Sequence, residues 1–530
     1  MRLKLRFFPA LGVVLYLSSL CNGATVTGMV KGADGTPFQG AFVAAQNTKS
    51  RMTVYALSNS KGLYRIEGLS AGTYRLQIRA VGYSAEPRTG VNLTASQNAS
   101  YNFALQQGTV RWSDISYSQA QQLWPKVKGE DLYVKNCTTC HLFQTRMAST
   151  VRDEEGWKDR VDYMREVMNV KKNVNDQDSV VLAGYLTSLF GPDSVLPASP
   201  ADIPKYKDTV RPFSSESTNI VYVEYDMPGP SRMPFSAAPD KNGMMWIPNF
   251  GPANKLTRLD PKTGEMQDFT VPHVGTASLH SAVPAADGSV WITEQIANKV
   301  GRWDPKTQKI TEYQDGTTGS KHTVRLDTAG RVWASGNPLT MFDPETEKFT
   351  RFPEVDFAYD VKPDKNGDVW FTNPLQNKIG KVDGKTMKLV QWTSPTADSF
   401  PRRMEIASDG MIWFGEFRGG KMGRFDPKTE TFTEYVLPGP NPTPYSLGID
   451  AEGYIWYNSH YMDTIGRFDT QTGKVIEYPF PHSEVNMREF FRDAQGRMWY
   501  GSNPNNKVGY FYLTGKHTDG KHGVLQTAKK

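Results

Sequence analysis

Hydrophobic positions change their period twice along the chain. In Tyr74-Arg-Leu76-Gln-Ile78-Arg-Ala80 apolar and polar residues alternate, the period of a strand with one buried face. Similar short runs are broken by glycine turns at Asp34-Gly35-Thr-Pro37, Gly62-Leu-Tyr64 and Gly82-Tyr83, so residues 25–107 read as a small β unit. Across 110–191 the period lengthens. Trp157, Val161, Met164 and Met168 recur at spacings of four, three and four, one stripe of a helix, and 176–190 reads as a second amphipathic helix. Pro192, Pro197, Pro200, Pro204 and Pro212 mark 192–216 as a linker. Strand-like runs then return and continue to residue 513, leaving 514–530 as a disordered tail.

The third region repeats itself. Trp246, Trp291, Trp333, Trp370, Trp413, Trp456 and Trp499 follow one another at gaps of 45, 42, 37, 43, 43 and 43 residues. A glycine precedes each by two or three positions, and a motif such as Val300-Gly301-Arg302-Trp-Asp304 or Ile465-Gly466-Arg467-Phe-Asp469 follows most of them. A repeat of this length built from strands and turns predicts propeller blades, and seven copies predict seven blades over 217–513. The middle blades end on segments like Thr433-Glu434-Tyr435, whereas the last stops near Tyr512 without one. The unmatched copy, Val223-Glu224-Tyr225, precedes the first blade and is expected to close the ring as the outer strand of the seventh.

Composition agrees with this division. A chain of 530 residues implies several domains, and 46 Gly, 34 Pro and 12% aromatics favour turn-rich β structure. The formal charge of +6 includes Arg2, Lys4 and Arg6, which precede an apolar run from Phe7 to Leu20. Residues 1–24 therefore read as a secretory signal. Its removal leaves about +3, no nucleic-acid signature. Ser18 and Leu20 flank Cys21 where a lipoprotein signal takes Leu and a small residue, so lipid anchoring is not expected. No later segment resembles a transmembrane helix, and export to the periplasm or the outside of a bacterium is the expectation.

The mature chain keeps two cysteines, in Cys137-Thr-Thr-Cys140-His141. This is the attachment signature of c-type haem: two thiols form thioethers with the vinyl groups and the adjacent histidine ligates the iron. A redox disulfide or half a zinc site also uses Cys-x-x-Cys. Zinc would need two more ligands, yet the module has no other histidine and the mature chain no other cysteine, and a disulfide has no need of His141. With Gly129-Glu-Asp-Leu132-Tyr133 before the motif and Gly184-Tyr185-Leu186 on the closing helix, residues 110–191 resemble class I cytochrome c. That resemblance implies one covalent haem, Met/His ligation with Met164 as sixth ligand ahead of Met168 and Met147, and a redox partner protein or small-molecule electron donor.

The other regions resemble known families too. The glycine-broken strands of 25–107 are similar to the carboxypeptidase regulatory-like domain, a transthyretin-like β-sandwich, expected as a spacer or adhesion module with a glycan as alternative ligand. Asp287-Gly-Ser-Val-Trp291-Ile-Thr-Glu294 and Asp409-Gly-Met-Ile-Trp413-Phe-Gly-Glu416 resemble blades of the virginiamycin B lyase (streptogramin lyase) family. The fold class expected is thus mainly β and multidomain: sandwich, small all-α cytochrome c domain, seven-bladed propeller.

If residue 280 pairs across its hairpin with 294, positions eleven before and three after each Trp share one end of the ring. The first set is Phe235, His280, His322, Tyr359, Arg402, Tyr445 and Arg488; the second is Asn249, Glu294, Gly336, Asn373, Glu416, Ser459 and Ser502. Two His, two Arg, two Tyr and two Glu suggest a polar pocket, with a solvated channel as the plain alternative. In the lyase family a His removes an α-proton beside an ester carbonyl while carboxylates hold Mg²⁺. His280 and Glu294 match that His and one Glu. The family's other metal-binding Glu falls on Ser278, and His322 lies in the following blade rather than the preceding one. His273, His482, His517 and His522 read as surface or tail residues. Electron transfer is the leading expectation, since a lyase gains nothing obvious from an iron centre. A lyase or hydrolase acting through His280 is the second, and a non-enzymatic ligand-binding protein the third.

Overall fold

The computed structural model describes residues 23–138, 151–167 and 174–514. Cys140, His141, Met147, Met168, Cys21, His517 and His522 lie outside the described residues, as do most of the leader and tail. The chain is a mainly β, multidomain protein with an N-terminal β-sandwich-like region, a layer of helices and a C-terminal propeller.

In the sandwich, Ala24–Lys31 lies between Leu63–Leu69 and Asn98–Ser100, while Phe42–Asn47, Met52–Leu57, Gly72–Arg79 and Arg88–Leu93 form the facing sheet. The alternation read at 74–80 is seen: Tyr74 and Leu76 are fully buried and Arg75 points outward. Val26, Val43, Ile66 and Phe103 complete the core between the sheets.

Seven four-stranded antiparallel blades make the ring. The glycine before each Trp has a positive φ (Gly288 at 90°), which the tight hairpin turn requires. Five indole N–H groups (Trp246, Trp333, Trp370, Trp456, Trp499) donate to an Asp six residues earlier at 2.6–3.3 Å, so turn and buried ring are fixed together. The glycine of the Ile-Gly-Arg motif allows a close approach: a Cβ on Gly423 would lie 2.3 Å from the Phe414 ring, and one on Gly466 2.2 Å from Tyr457.

The strand Ile220–Asp226 pairs antiparallel with Lys507–Leu513 and closes the ring. Its other edge pairs with Met52–Leu57 of the sandwich, Val223 opposite Val54 and Tyr225 opposite Met52. Blade seven and one sandwich sheet are therefore a single eight-stranded sheet. The sandwich is built into the propeller, and the edge strand that the ring would otherwise expose is covered. A spacer role does not describe this arrangement.

The longer helices among the described residues are α1 (Tyr117–Leu123), α2 (Glu130–Asn136), α3 (Glu154–Val167) and α4 (Asp176–Phe190). Ser116 caps α1 and Asn175 caps α4 by accepting N–H groups of the first turn. Trp157 and Val161 bury the predicted stripe, whereas Met164 is half-buried. Arg165 on α3 donates to Asp162 and Asp176 at 2.6 Å and to the Val174 carbonyl at 2.7 Å, tying α3 to α4. Gly129 sits against α4, where a Cβ would lie 2.8 Å from Cβ of Tyr185.

Candidate functional site

The innermost strands carry bulges at one end of the ring. Leu279 pairs with Glu294 and Ser281 with Thr293, leaving His280 as the extra residue. The register is likewise broken between Lys321 and Val324, Pro401 and Met404, and Pro444 and Leu447. Residue 280 is thus not the partner of 294. The bulge that displaces the pairing by one also re-aims His280, His322, Arg402 and Tyr445.

Side chains from all seven blades meet there, as only the ring axis permits. Ring centroids lie 4.9 Å apart for Phe235 and His280, 3.6 Å for His280 and His322, and 4.3 Å for His322 and Tyr359. The Tyr359 and Tyr445 hydroxyls bond to each other, and Arg488 donates to the Tyr445 hydroxyl. The Arg402 guanidinium stands 3.8 Å from the Phe417 ring centre and 4.3 Å from that of Tyr445; Arg488 stands 4.9 Å from Tyr445 and 5.2 Å from Phe235. The first predicted set is brought together whole, and every member is buried.

The second set goes elsewhere. Glu294 turns into the face of its own blade beside Glu312 and Lys299, and Glu416 does the same beside Glu434 and Lys421. The lysines donate to the outer glutamates at 3.0 and 2.8 Å, and Ser394 donates to Glu416 at 2.7 Å. Other blades place Asn373 on Gln391 at 3.1 Å and Thr464 on Glu477 at 3.4 Å. These polar groups brace strands within each blade and are not part of the axial cluster. Reading the positions eight and twenty-one after each Trp beside the one three after it reveals the repeat.

Burial first, then the Glu312 carboxylate, pushes Glu294 up to about 9, while bonds from Glu294 and Lys299 hold Glu312 low against its own burial. Burial likewise raises Glu416 to about 7. His273, expected at the surface, is half-buried, and its ligand atom falls with those of Glu294 and Glu312 within 4.8 Å of one another. The set does not fit Mg²⁺. The Lys299 ammonium is already 3.0 Å from Glu312 and 3.4 Å from Nδ1 of His273, and Ser278 supplies no carboxylate. His482, also expected at the surface, is buried and bonded to Glu224 of the closing strand at 2.7 Å.

Sequence reasoning missed a second layer, made mostly of the residues one after the axial set together with Arg325. Glu489 accepts from Arg325 at 2.8 Å, Arg403 at 3.0 Å and Ser281 at 3.0 Å; Arg403 also donates to Asp360 at 3.0 Å and Thr323 at 2.6 Å. Burial alone would raise Glu489, but Arg403 and Arg325 hold it below the ordinary carboxylate value. This buried network joins five blades in a layer next to the axial cluster. Burial, then Arg403 and Arg488, drive His280 well below the ordinary imidazole value; burial and His280 do the same to His322. Both shifts favour the neutral imidazole, and among the described residues Nδ1 of His280 has no hydrogen-bond partner.

The helices cover this end. Tyr359, Phe400, Phe417, Tyr445 and Tyr461 of the ring share one apolar cluster with Tyr117, Trp124, Tyr133, Trp157 and Leu186, and Cys137 packs against it. The Thr138 and Tyr461 hydroxyls are 2.6 Å apart, Ser118 N–H donates to the Tyr461 carbonyl at 2.7 Å, and Asn441 donates to Gln121 at 2.9 Å. His460, which sequence reasoning passed over, lies 5.1 Å from Tyr445 by ring centres. A cavity of about 840 Å³ opens elsewhere, where the sandwich meets the closing strand; Asn59, Arg65, Arg88 and Asn102 line it, and no member of the axial set does.

Residues 346–524 match the Virginiamycin B lyase family. Residues 25–106 match the carboxypeptidase regulatory-like domain. The first match includes Arg402, Glu416, Tyr445 and Arg488, but His280, Glu294 and His322 precede it. A streptogramin B lyase structure is 23% identical, covering 57% of this chain and all 100% of its own, with a TM-score of 0.52. A selenomethionine-substituted virginiamycin B lyase from Staphylococcus aureus is 22% identical over 55% of this chain and 98% of its own, TM-score 0.51. A catalytically inactive variant of that enzyme, solved with quinupristin, is 22% identical over 55% of this chain and 99% of its own, TM-score 0.50. At these identities the likeness concerns the propeller fold. No curated protein matches the chain.

Proposed function

We propose that the chain is an exported c-type cytochrome, periplasmic or extracellular, whose helices hold a haem against the mouth of the propeller. Cys137 and Cys140 would attach the group, His141 would ligate it, and Met164 is the candidate sixth ligand. When bound, haem supplies one-electron transfer. The observation that carries this reading is the seating of the attachment segment: Cys137 packs on the apolar cluster shared by helices and ring, and its neighbour Thr138 bonds Tyr461 of the ring. A half-buried thiol beside tyrosine, tryptophan and leucine side chains suits an apolar porphyrin edge. Apolar surroundings and protein dipoles are the levers that set a haem potential, and the mouth offers both. A Cys137→Ala/Cys140→Ala variant is expected to lose covalent haem, and retention of the haem band would refute the assignment. Met164→Leu is expected to lose the absorbance band of Met–iron ligation.

His280 favours a second reading. Its imidazole is buried and held toward the neutral form, with an Nδ1 unpartnered among the described residues that could accept an α-proton beside a carbonyl, as in the lyase family. No step passes through a metal. Opening of a cyclic ester by the purified protein, lost in His280→Ala, would support this reading; unchanged turnover in the variant would remove it.

A further inference from the structure

We propose that the cavity where the sandwich meets the closing strand binds an anionic oligosaccharide of the uronic acid kind, held by its carboxylate and its hydroxyl and ring oxygens. The site is built from described residues alone and is independent of both the haem and the lyase readings.

Alternation along two paired strands places the lining. Val26, Val30, Tyr64 and Ile66 turn into the core of the sandwich, so Met29 and Lys31 of one strand and Leu63 and Arg65 of its neighbour face the other way. They line the cavity together with Leu57 and Val221, and its volume of about 840 Å³ lies within the roughly 300–1,000 Å³ of small-molecule sites. The charge there has one sign. Lys31, Arg65 and Arg88 line the cavity and no carboxylate does. Arg65 is shared with Glu67 at 2.5 Å, whereas Lys31 and Arg88 have no ion pair among the described residues. The amides in the lining are donors as well. Oδ1 of Asn59 accepts the N–H groups of Lys61 and Leu63 at 2.9 and 3.1 Å, and Oδ1 of Asn102 accepts that of Met29 at 2.8 Å. Each carboxamide therefore keeps its N–H₂ end for a ligand. Cations and amide donors beside apolar side chains call for a ligand with a negative charge, many acceptor oxygens and an apolar face. A uronate ring has all three: a carboxylate for the guanidiniums, ring and hydroxyl oxygens for the amides, and C–H faces for Met29, Leu63 and Val221.

Two other anion-seeking or nearby occupants fit less well. An acidic peptide would add as a strand to Leu63–Leu69, which lies at the edge of its sheet. Asn59 blocks that edge, because its side chain takes the Leu63 N–H and its own N–H donates to the Leu63 carbonyl at 2.9 Å. The chain's own end, after Thr514, carries Lys516, Lys521, Lys529 and Lys530 against the single Asp519, the same sign as the cavity.

The test is calorimetric titration of the purified mature protein with trigalacturonate and, in parallel, trimannuronate. Saturable binding of at least one is expected, weakened by added salt and about tenfold tighter than binding of neutral maltotriose. Lys31→Gln and Arg88→Gln, both at exposed positions, are each expected to weaken it about threefold, and the double variant about tenfold. Asn102→Asp keeps the acceptor for Met29 but replaces the donor with an anion, and is expected to weaken binding about tenfold. Lys262→Gln removes an exposed cation of the first blade that does not line the cavity, and is expected to change nothing. The Cys137→Ala/Cys140→Ala variant should bind as the unaltered protein does, which separates this site from the haem reading. Absence of binding to both acidic trisaccharides overturns the proposal, as does binding that the Lys31→Gln/Arg88→Gln pair leaves unmoved. Equal affinity for maltotriose overturns it too, and tighter binding of hexaglutamate than of either trisaccharide gives the cavity to an acidic peptide instead.

Discussion

The mouth of the ring and the faces of its blades hold polar side chains of the same kinds, arranged on opposite principles. Glu294, Lys299 and Glu312 recur as Glu416, Lys421 and Glu434, each 122 residues later and in the same contacts. Weaker versions brace other blades with Asn–Gln or Thr–Glu pairs. At the axis the innermost position of each blade holds Phe, His, His, Tyr, Arg, Tyr and Arg, four residue types in no repeating order. What recurs from blade to blade serves the blade. What departs from the repeat serves something held in common by the whole ring, and here that place is sealed by the helices bearing Cys137.

The largest effect is expected at the layer beside the axis. Glu489→Gln withdraws the anion that Arg325 and Arg403 share in a buried site, and is expected to cost about 3–5 kcal/mol in urea unfolding. A loss below about 1 kcal/mol would show the network to be solvated instead. The histidines come next. Their folded values lie below the unfolded one, so the native state binds fewer protons and loses stability as pH falls below about 6.5, by up to about 1.4 kcal/mol per unit for each imidazole. His280→Gln and His322→Gln should flatten this acid limb in melting temperatures; an unaltered limb would mean the pair is not neutral. Glu294 has the opposite sign. With a folded value of about 9 it holds a proton that the unfolded chain releases near pH 4.3, so stability falls as pH rises between those values. The depressed Glu312 offsets part of this. Glu294→Gln should therefore gain on the unaltered protein as pH rises between about 4.3 and about 9, and a constant difference would show that Glu294 is not held protonated. Tyr461→Phe, which removes one bond to Thr138, is expected to cost about 1 kcal/mol and to leave the ring folded.

Much of this was legible beforehand. The Trp spacing gives seven blades because one indole is buried in every blade, five of them bonded to the Asp six residues earlier, and Val223-Glu224-Tyr225 closes the ring because no other copy of that strand is left over. The axial residues were legible as a set, although through a register one position wrong, since bulges at His280 and its counterparts leave no mark in composition. Glu294 and Glu416 were misplaced for the same reason: a hairpin end is shared by two faces, and only the partner at the fourth strand decides which face a side chain takes. The arginines and acids of the neighbouring layer looked like ordinary strand residues. The fusion of the sandwich to blade seven was invisible because Met52–Leu57 and Ile220–Asp226 meet across more than 150 residues of chain, by backbone pairing that no side-chain pattern announces. Docking of the helices on the mouth depends on Phe400, Phe417 and Tyr461, aromatic residues beside strand ends whose burial only the assembled ring explains.

The most direct measurement is the mass and visible spectrum of the mature protein exported from a host that attaches c-type haem. One haem per chain, covalently bound and lost in Cys137→Ala/Cys140→Ala, is the expected result. A polypeptide of unmodified mass with no haem absorbance, from a host that loads other c-type cytochromes, would contradict it.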